Sequence, residues 1–280
     1  MLAAQRRDLL LARLRADGRL VAKDLARELE LSEDSIRRDL RDLAAAGLCQ
    51  RVYGGALPAS PAIADLAART SISVSSKRSV AECAASLVRP GSTVIIDGGT
   101  TALAVARALA PDLRATVVTH SPVVAAELVE HAEVEVVIIG GRLFKHSGVT
   151  SGAAAAEAAE RVHADLFLMG VTGVHPDAGL TTGDADEAAM KRILAGRAAD
   201  TYVLASAEKL GAASRFTVLP LTEVAGIITD GDTPGPDDAL GDTPGSEPTD
   251  GTADATEATI RALVERGVPV LSTREWRVES

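Results

Sequence analysis

The residues best placed to do chemistry follow short apolar runs, where a strand would end and its next side chains would project. Asp97-Gly98-Gly99-Thr100-Thr101 follows the run TVIID and opens the helical stretch TTALAVARALA. Its glycines permit close backbone approach, and free N–H groups with two hydroxyls suit an anion such as phosphate. The same spacing also serves a plain strand-to-helix turn capped by Thr100 or Thr101, so both readings stand. The segment has neither the GxGxxG of dinucleotide sites nor the GK[ST] of P-loops, which argues against NAD and ATP and leads us to expect no cofactor. Thr119 and Ser121 follow the run TVVT, Thr172 sits in the Gly-bracketed turn Gly170-Val171-Thr172-Gly173, and Lys209 follows TYVLA as a point charge for a phosphate. Ser121 is equally suited to capping the next helix. Glu187 and Lys191 stand four residues apart on a helical stretch, which reads first as a surface ion pair and second as a ligand contact.

A second group lies near the start of the chain. In EDSIRRDLRDLAAAG, Ile36, Leu40 and Leu43 share one helical face, and Arg37, Arg38 and Arg41 fall on the other. Ser32 is placed as the N-cap, with Ser35 in the first turn. Guanidinium forks on such a helix match guanine edges or phosphates in a major groove, although arginines on an exposed face also serve as ordinary i,i+4 partners. Arg51 and Tyr53 lie in LCQRVYGGA, a short β-prone stretch ended by Gly54-Gly55, suited to a wing that touches the DNA backbone or minor groove.

These groups need elements to hold them. Residues 4–17 read as a helix with Leu10 and Leu14 on one face and Gly18 as its stop; Val21, Leu25 and Leu29 mark a second helix, and Leu31-Ser32 turns into the arginine-bearing third. From Lys77 onward helical stretches alternate with apolar runs at 93–97, 116–119, 134–140, 166–170, 201–205, 226–229 and 268–271. Apolar strands between helices imply a mostly parallel sheet covered on both faces, an α/β fold whose ligands bind outside the carboxyl ends of its strands. The expected organisation is a winged helix-turn-helix over 1–57, a linker rich in Pro, Ser and Ala over 58–76, and the α/β domain over 77–280. Within that domain 231–256, rich in Pro, Gly, Asp and Thr, reads as a disordered insertion.

Composition narrows the function classes. The net charge is -10, but residues 1–57 hold 11 Lys and Arg against 9 Asp and Glu, so the acidity belongs to the rest of the chain. Aromatic residues at 2% leave no stacking platform for single-stranded nucleic acid. No apolar run reaches the roughly 18 to 20 residues of a membrane span, and the charged start does not suit a signal peptide, so a soluble, cytoplasmic protein without a membrane partner is expected. Cys49 and Cys83 lack CxxC spacing and any metal-like pairing with the five histidines, which points to buried thiols and no metal site.

The string LARELELSEDSIRRDLRDLAAAGLCQRVYGGA resembles the DNA-binding region of the DeoR family of bacterial transcriptional regulators. Ser35 stands where that family more often has Thr, and Cys49 where it has a small or aliphatic residue. The order D-x-GTT, T-x-S, GG, a Gly-bracketed turn, G-L-T, E-x-x-x-K and a late Lys-x-Gly is similar to the family's effector domain. That fold resembles ribose-phosphate isomerases and coenzyme A transferases. His120 replaces a usual Asn, and Ser206 a frequent Asp. The resemblance implies double-stranded operator DNA bound through Ser32, Ser35, Arg37, Arg38, Arg41, Arg51 and Tyr53. It implies a sugar-phosphate effector held by Asp97, Gly98, Gly99, Thr100, Thr101, Thr119, Ser121, Thr172, Glu187, Lys191 and Lys209. A symmetric homo-oligomer and repression of a sugar-use operon follow as expectations. Catalysis does not, because the turn where isomerases carry acidic residues reads Gly170-Val171-Thr172-Gly173.

Overall fold

The computed structural model of the chain describes residues 2–231, 251–274 and 276. The head consists of α1 (Ala3–Asp17), β1 (Leu20–Val21), α2 (Ala22–Glu28), α3 (Glu33–Ala45), β2 (Cys49–Val52) and β3 (Gly55–Pro58). Leu10, Leu14, Leu25, Ile36, Leu40 and Leu43 meet in its core, as their periodicity predicts. Val21, expected in the second helix, instead ends β1, and that helix stops at Glu28. The three strands form an antiparallel sheet in the order β1-β3-β2. A side chain at Gly55 would put its Cβ 1.7 Å from the Leu20 carbonyl oxygen, so β1 and β3 pair only because this residue is glycine.

The stretch expected to be a linker, 58–76, is structured. It carries a 3₁₀ turn (Pro61–Ile63) and α4 (Leu66–Arg69), and α5 (Val74–Ser86) begins inside it. It is tied to the rest of the molecule by Leu66 N donating to His146 O (2.8 Å) and Ala213 N donating to Pro58 O (3.3 Å).

The larger domain continues through β4 (Thr93–Ile96), α6 (Thr100–Ala108), β5 (Ala115–Thr119), α7 (Pro122–Glu127), β6 (Val134–Ile138), β7 (Arg142–Phe144), β8 (Val149–Ser151) and α8 (Ala153–Ala159). There follow β9 (Ala164–Gly170), β10 (Gly173–His175), β11 (Gly179–Thr182), α9 (Ala185–Ala195), β12 (Ala198–Leu204), β13 (Phe216–Thr217), β14 (Gly226–Thr229), α10 (Gly251–Glu265) and β15 (Val270–Ser272). Seven strands form a wholly parallel sheet in the order β15-β14-β12-β9-β4-β5-β6. Every apolar run read from the sequence supplies one of them. Alternate residues serve opposite faces. Ile95, Phe167, Met169, Val203 and Ile227 pack against α8, α9 and α10, while Val94, Ile96, Leu166, Leu168, Leu204 and Ile228 pack against α5 and α6. The insertion expected at 231–256 lies mostly outside the described residues, and its last part is helical, since α10 starts at Gly251.

The order of strands decides where a ligand can sit. From β4 the chain builds outward to β5 and β6, and from β9 it builds the other way to β12, β14 and β15, so the direction reverses between the adjacent strands β4 and β9. Helices leaving those two strands diverge to opposite sides and leave a crevice at their carboxyl ends. Asp97 and Gly170 are the residues at that point. Two small antiparallel units, β10-β11-β13 and β7-β8, add further walls.

Candidate functional site

Asp97 is fully buried and anchors the crevice. Its Oδ1 accepts from His120 Nε2 (2.7 Å) and Gly98 N (2.8 Å), and its Oδ2 accepts from Gly170 N (2.8 Å) and Lys191 Nζ. Burial by itself would raise its pKa, but the charge of Lys191 and the bond and charge of His120 hold it well below the usual carboxylate range. The other ring nitrogen of His120 lies 3.0 Å from Thr150 O. Asp97 is thus a structural anion that pins β4 to β9 and sets the position of Lys191.

Above Asp97 the chain turns sharply into α6. A Cβ on Gly98 would come 2.1 Å from Val149 Cγ1, and Gly99 has a φ of +98°. Only glycines let the backbone pass here, and they expose the first amides of α6, which have no partner within the helix. Gly98, Gly99, Thr100, Thr101, Thr172, Glu187, Lys191 and Lys209 line one cavity, together with Ala62, Arg69, Lys77 and Glu208. Eight of the residues expected from sequence are therefore gathered on one spot, with Asp97 beneath them.

Two expected residues are not there. Thr119 and Ser121 are buried and line no part of the cavity. Thr119 Oγ1 accepts from Ser121 N (3.1 Å), and Ser121 caps α7 and donates to Gly148 O (3.0 Å). The hydroxyls are taken up by the backbone of this turn and of the β7–β8 loop, and Ser121 serves as the cap of α7. The surface pair expected between Glu187 and Lys191 is also corrected, because both are buried and Lys191 turns to Asp97.

The cavity lining carries four basic side chains, Arg69, Lys77, Lys191 and Lys209, against the carboxylates of Glu187 and Glu208. Lys209 donates to Leu204 O (2.8 Å) and Thr101 Oγ1 (3.2 Å), and burial pushes its pKa down to about 8, with Lys77, Arg69 and Lys191 adding to the depression and Glu208 opposing it. Burial likewise lowers Arg69 and Lys77. Arg69 Nε and Nη2 are buried and have no hydrogen-bond partner, and Nη1 stands 3.6 Å from where a Cβ on Gly99 would be. A guanidinium left unsatisfied over a row of helix N-terminal amides is the complement of a phosphate. Arg69 and Lys77 escaped sequence reading because one lies within and the other directly after the stretch of Pro, Ser and Ala, whose lack of periodicity gives no facing direction. The one available signal was a pair of basic residues, Arg69 and Lys77, on either side of the uncharged run 70–76.

Arg69 is carried on a strap that runs directly from the wing. The free space beneath it is about 30 Å³, room for a water or two.

In the head, α3 presents Arg37, Arg38 and Arg41 to solvent. Arg37 pairs with Glu33 (2.6 Å), whereas Arg38 and Arg41 have no ion-pair partner among the described residues. Ser32 Oγ accepts from Ser35 N (3.2 Å) and bonds Ser35 Oγ (2.9 Å), so both serines build the N-cap of α3. Arg51 and Tyr53 are exposed on the wing. Asp39, on the buried side of α3, takes a two-pronged bond from Arg6 of α1, which fixes the angle at which the arginine face is presented.

Residues 6–62 match the DeoR-like helix-turn-helix domain and residues 72–231 match the DeoR C terminal sensor domain. The chain is 35% identical to the HTH-type transcriptional regulator GlpR of Haloferax volcanii, over 77% of this chain and 85% of that protein. It is 27% identical to the glycerol-3-phosphate regulon repressor of Escherichia coli K12, over 84% and 93%. Among solved structures it is similar to ribose 5-phosphate isomerase A of Methanocaldococcus jannaschii, with 18% identity over 45% of this chain and 50% of that one and a TM-score of 0.34. With an arginine-bearing helix-turn-helix on one side of the strap and the α/β sensor on the other, the chain belongs to the DeoR family of transcriptional regulators.

Proposed function

We propose that the chain is a cytoplasmic repressor of an operon for sugar metabolism, and that a phosphorylated sugar in the Asp97 crevice releases it from its operator. The unpartnered Arg69 guanidinium over Gly98, Gly99 and Thr100 carries the reading, because it supplies the missing charge for a phosphate and lies on the segment that leads from the wing. Lys77, Lys191 and Lys209 complete the cationic wall, while Glu187 and Thr172 face the sugar hydroxyls. The phosphate draws Arg69 inward and the sugar displaces the strap, so ligand and head share one mechanical element. A coupling of about 1 to 3 kcal/mol across that element changes operator affinity some 5- to 150-fold. A regulon repressor among its relatives supports the sign of the response.

Operator reading falls to Arg38 and Arg41, whose guanidiniums are uncommitted, with Arg37 and the wing residues Arg51 and Tyr53 holding phosphates. A symmetric dimer or larger assembly places two such helices on half-sites a helical turn apart. Within the described residues no helix is long and apolar enough to cross a membrane.

Glu187 gives a second reading some weight, since a buried carboxylate beside a cationic pocket is what an aldose-ketose isomerase needs as its base. Asp97, in contrast, is fully occupied by donors and kept acidic, which suits it to scaffolding. One experiment separates the two. The protein is titrated by fluorescence anisotropy onto the DNA upstream of its own coding region, at fixed salt, with and without a panel of sugar phosphates. Release by one compound without its turnover supports the repressor; interconversion of that compound in the absence of DNA supports the enzyme.

A further inference from the structure

Beside the wing lies a second cleft, of about 570 Å³, with Arg19, Arg51 and Tyr53 on the head side and Asp177, Ser214 and Arg215 on the sensor side. Its one acid is already committed. Asp177 takes Arg19 at 3.0 Å and Arg266 at 2.7 Å. Arg51 and Arg215 are exposed, and neither guanidinium has an ion pair or hydrogen bond among the described residues. Two free cations from two domains thus converge on one cleft that opens beside the exposed Tyr53 of the wing, in a chain whose net charge is -10. Free guanidiniums lining a cleft next to a DNA-reading wing complement a phosphodiester backbone.

We infer that Arg215 is a DNA-backbone contact supplied by the sensor domain, extending the grip of the wing. The inference rests on the operator-binding reading above and deepens it. Arg215 is also well placed to report the state of the effector site. It directly follows Ser214, whose amide donates to Thr181 Oγ1 (2.9 Å) and whose hydroxyl bonds Thr172 Oγ1 (2.7 Å), and Thr172 lines the effector cavity. Lys209 of that cavity begins the same segment. A ligand that moves Thr172 or Lys209 therefore moves a phosphate contact as well as the strap, and release of DNA acquires a second lever.

Salt dependence tests this. The parent chain, Arg215→Gln and Arg215→Lys are titrated by anisotropy on the upstream duplex and on a scrambled duplex, without effector. Each phosphate contact contributes about 0.9 to the slope of log affinity against log salt, so the advantage of the parent over Arg215→Gln shrinks by about 3.5-fold between roughly 50 and 200 mM salt. The shrinkage is expected on both duplexes, because a backbone contact carries no sequence information, and Arg215→Lys keeps the parent slope. Equal slopes for parent and Arg215→Gln overturn the proposal and leave the operator reading standing. A parent that binds neither duplex overturns both. Loss of inorganic phosphate binding by Arg215→Gln in calorimetry without DNA, with an unchanged DNA slope, makes the cleft a small-anion site and overturns the proposal.

Discussion

Replacing Lys209 by methionine removes an ammonium that the sensor domain buries at a cost, while keeping most of the side chain's length. Burial lowers its pKa from 10.5 to about 8, a fall that corresponds to roughly 3 kcal/mol against the native state at neutral pH. The variant forfeits bonds to Leu204 O (2.8 Å) and Thr101 Oγ1 (3.2 Å), worth about 0.5 to 1.5 kcal/mol each. The net expectation is a sensor domain more stable by roughly 1 to 2 kcal/mol, or a melting temperature higher by about 4 °C. The pH dependence gives the reasoning its sharpest test. Near neutrality both native and unfolded chains carry the charge, and the native chain bears the full penalty. As pH rises through about 8 the native chain sheds its proton while the unfolded chain holds it until near 10.5, so the parent gains stability across that window and the variant's advantage fades. Thermal melts at several pH values read this directly, and the same melts with sugar phosphates show an upward shift for the parent and none for the variant. A variant less stable than the parent at neutral pH, or an advantage that does not fade as pH rises, refutes the account of Lys209 as a charge awaiting an anion.

Other perturbations isolate the remaining parts. Arg69→Gln removes the uncommitted guanidinium and is expected to weaken effector binding by roughly 10- to 100-fold, the loss of a charge-assisted bond, while operator binding persists and no longer responds to effector in anisotropy. Arg38→Ala and Arg41→Ala each cost about 1 to 3 kcal/mol on the operator, with effector-induced stabilisation unchanged in thermal melts. Asp97→Asn leaves Lys191 buried without its counter-charge and destabilises the sensor by about 3 to 5 kcal/mol in urea unfolding. Because the folded pKa of Asp97 is held below its unfolded value, the stability it contributes is present above about pH 4 and is lost only as pH falls through the depressed folded value, so acid titration from neutrality to pH 5 leaves that contribution intact.

The sequence by itself determined the two-part plan and most of the pocket floor. Apolar runs such as TVIID and LFLMG were legible as strands because both faces of a central parallel strand are buried, which demands apolar residues at every position. Asp97 through Thr101 could be found because a ligand crevice lies at strand ends, and the helix face of Arg37, Arg38 and Arg41 because a helix repeats every 3.6 residues. These are local rules, readable within ten or fifteen residues. Tertiary structure decided the rest. The i,i+4 spacing of Glu187 and Lys191 suggests a pair, yet Lys191 meets Asp97, which is 94 residues away in the chain. Thr119 and Ser121 carry the right hydroxyls at a strand end but spend them on the turn between β5 and α7. The short strands β10 and β11 follow no apolar run, since their burial comes from neighbours distant in sequence. Most of all, a stretch without periodicity became the strap that hangs Arg69 over Gly98 and Gly99. A segment's facing direction is written in its own sequence only when a regular element fixes it; an irregular strap takes its direction from the surfaces it crosses, and only the folded chain supplies those.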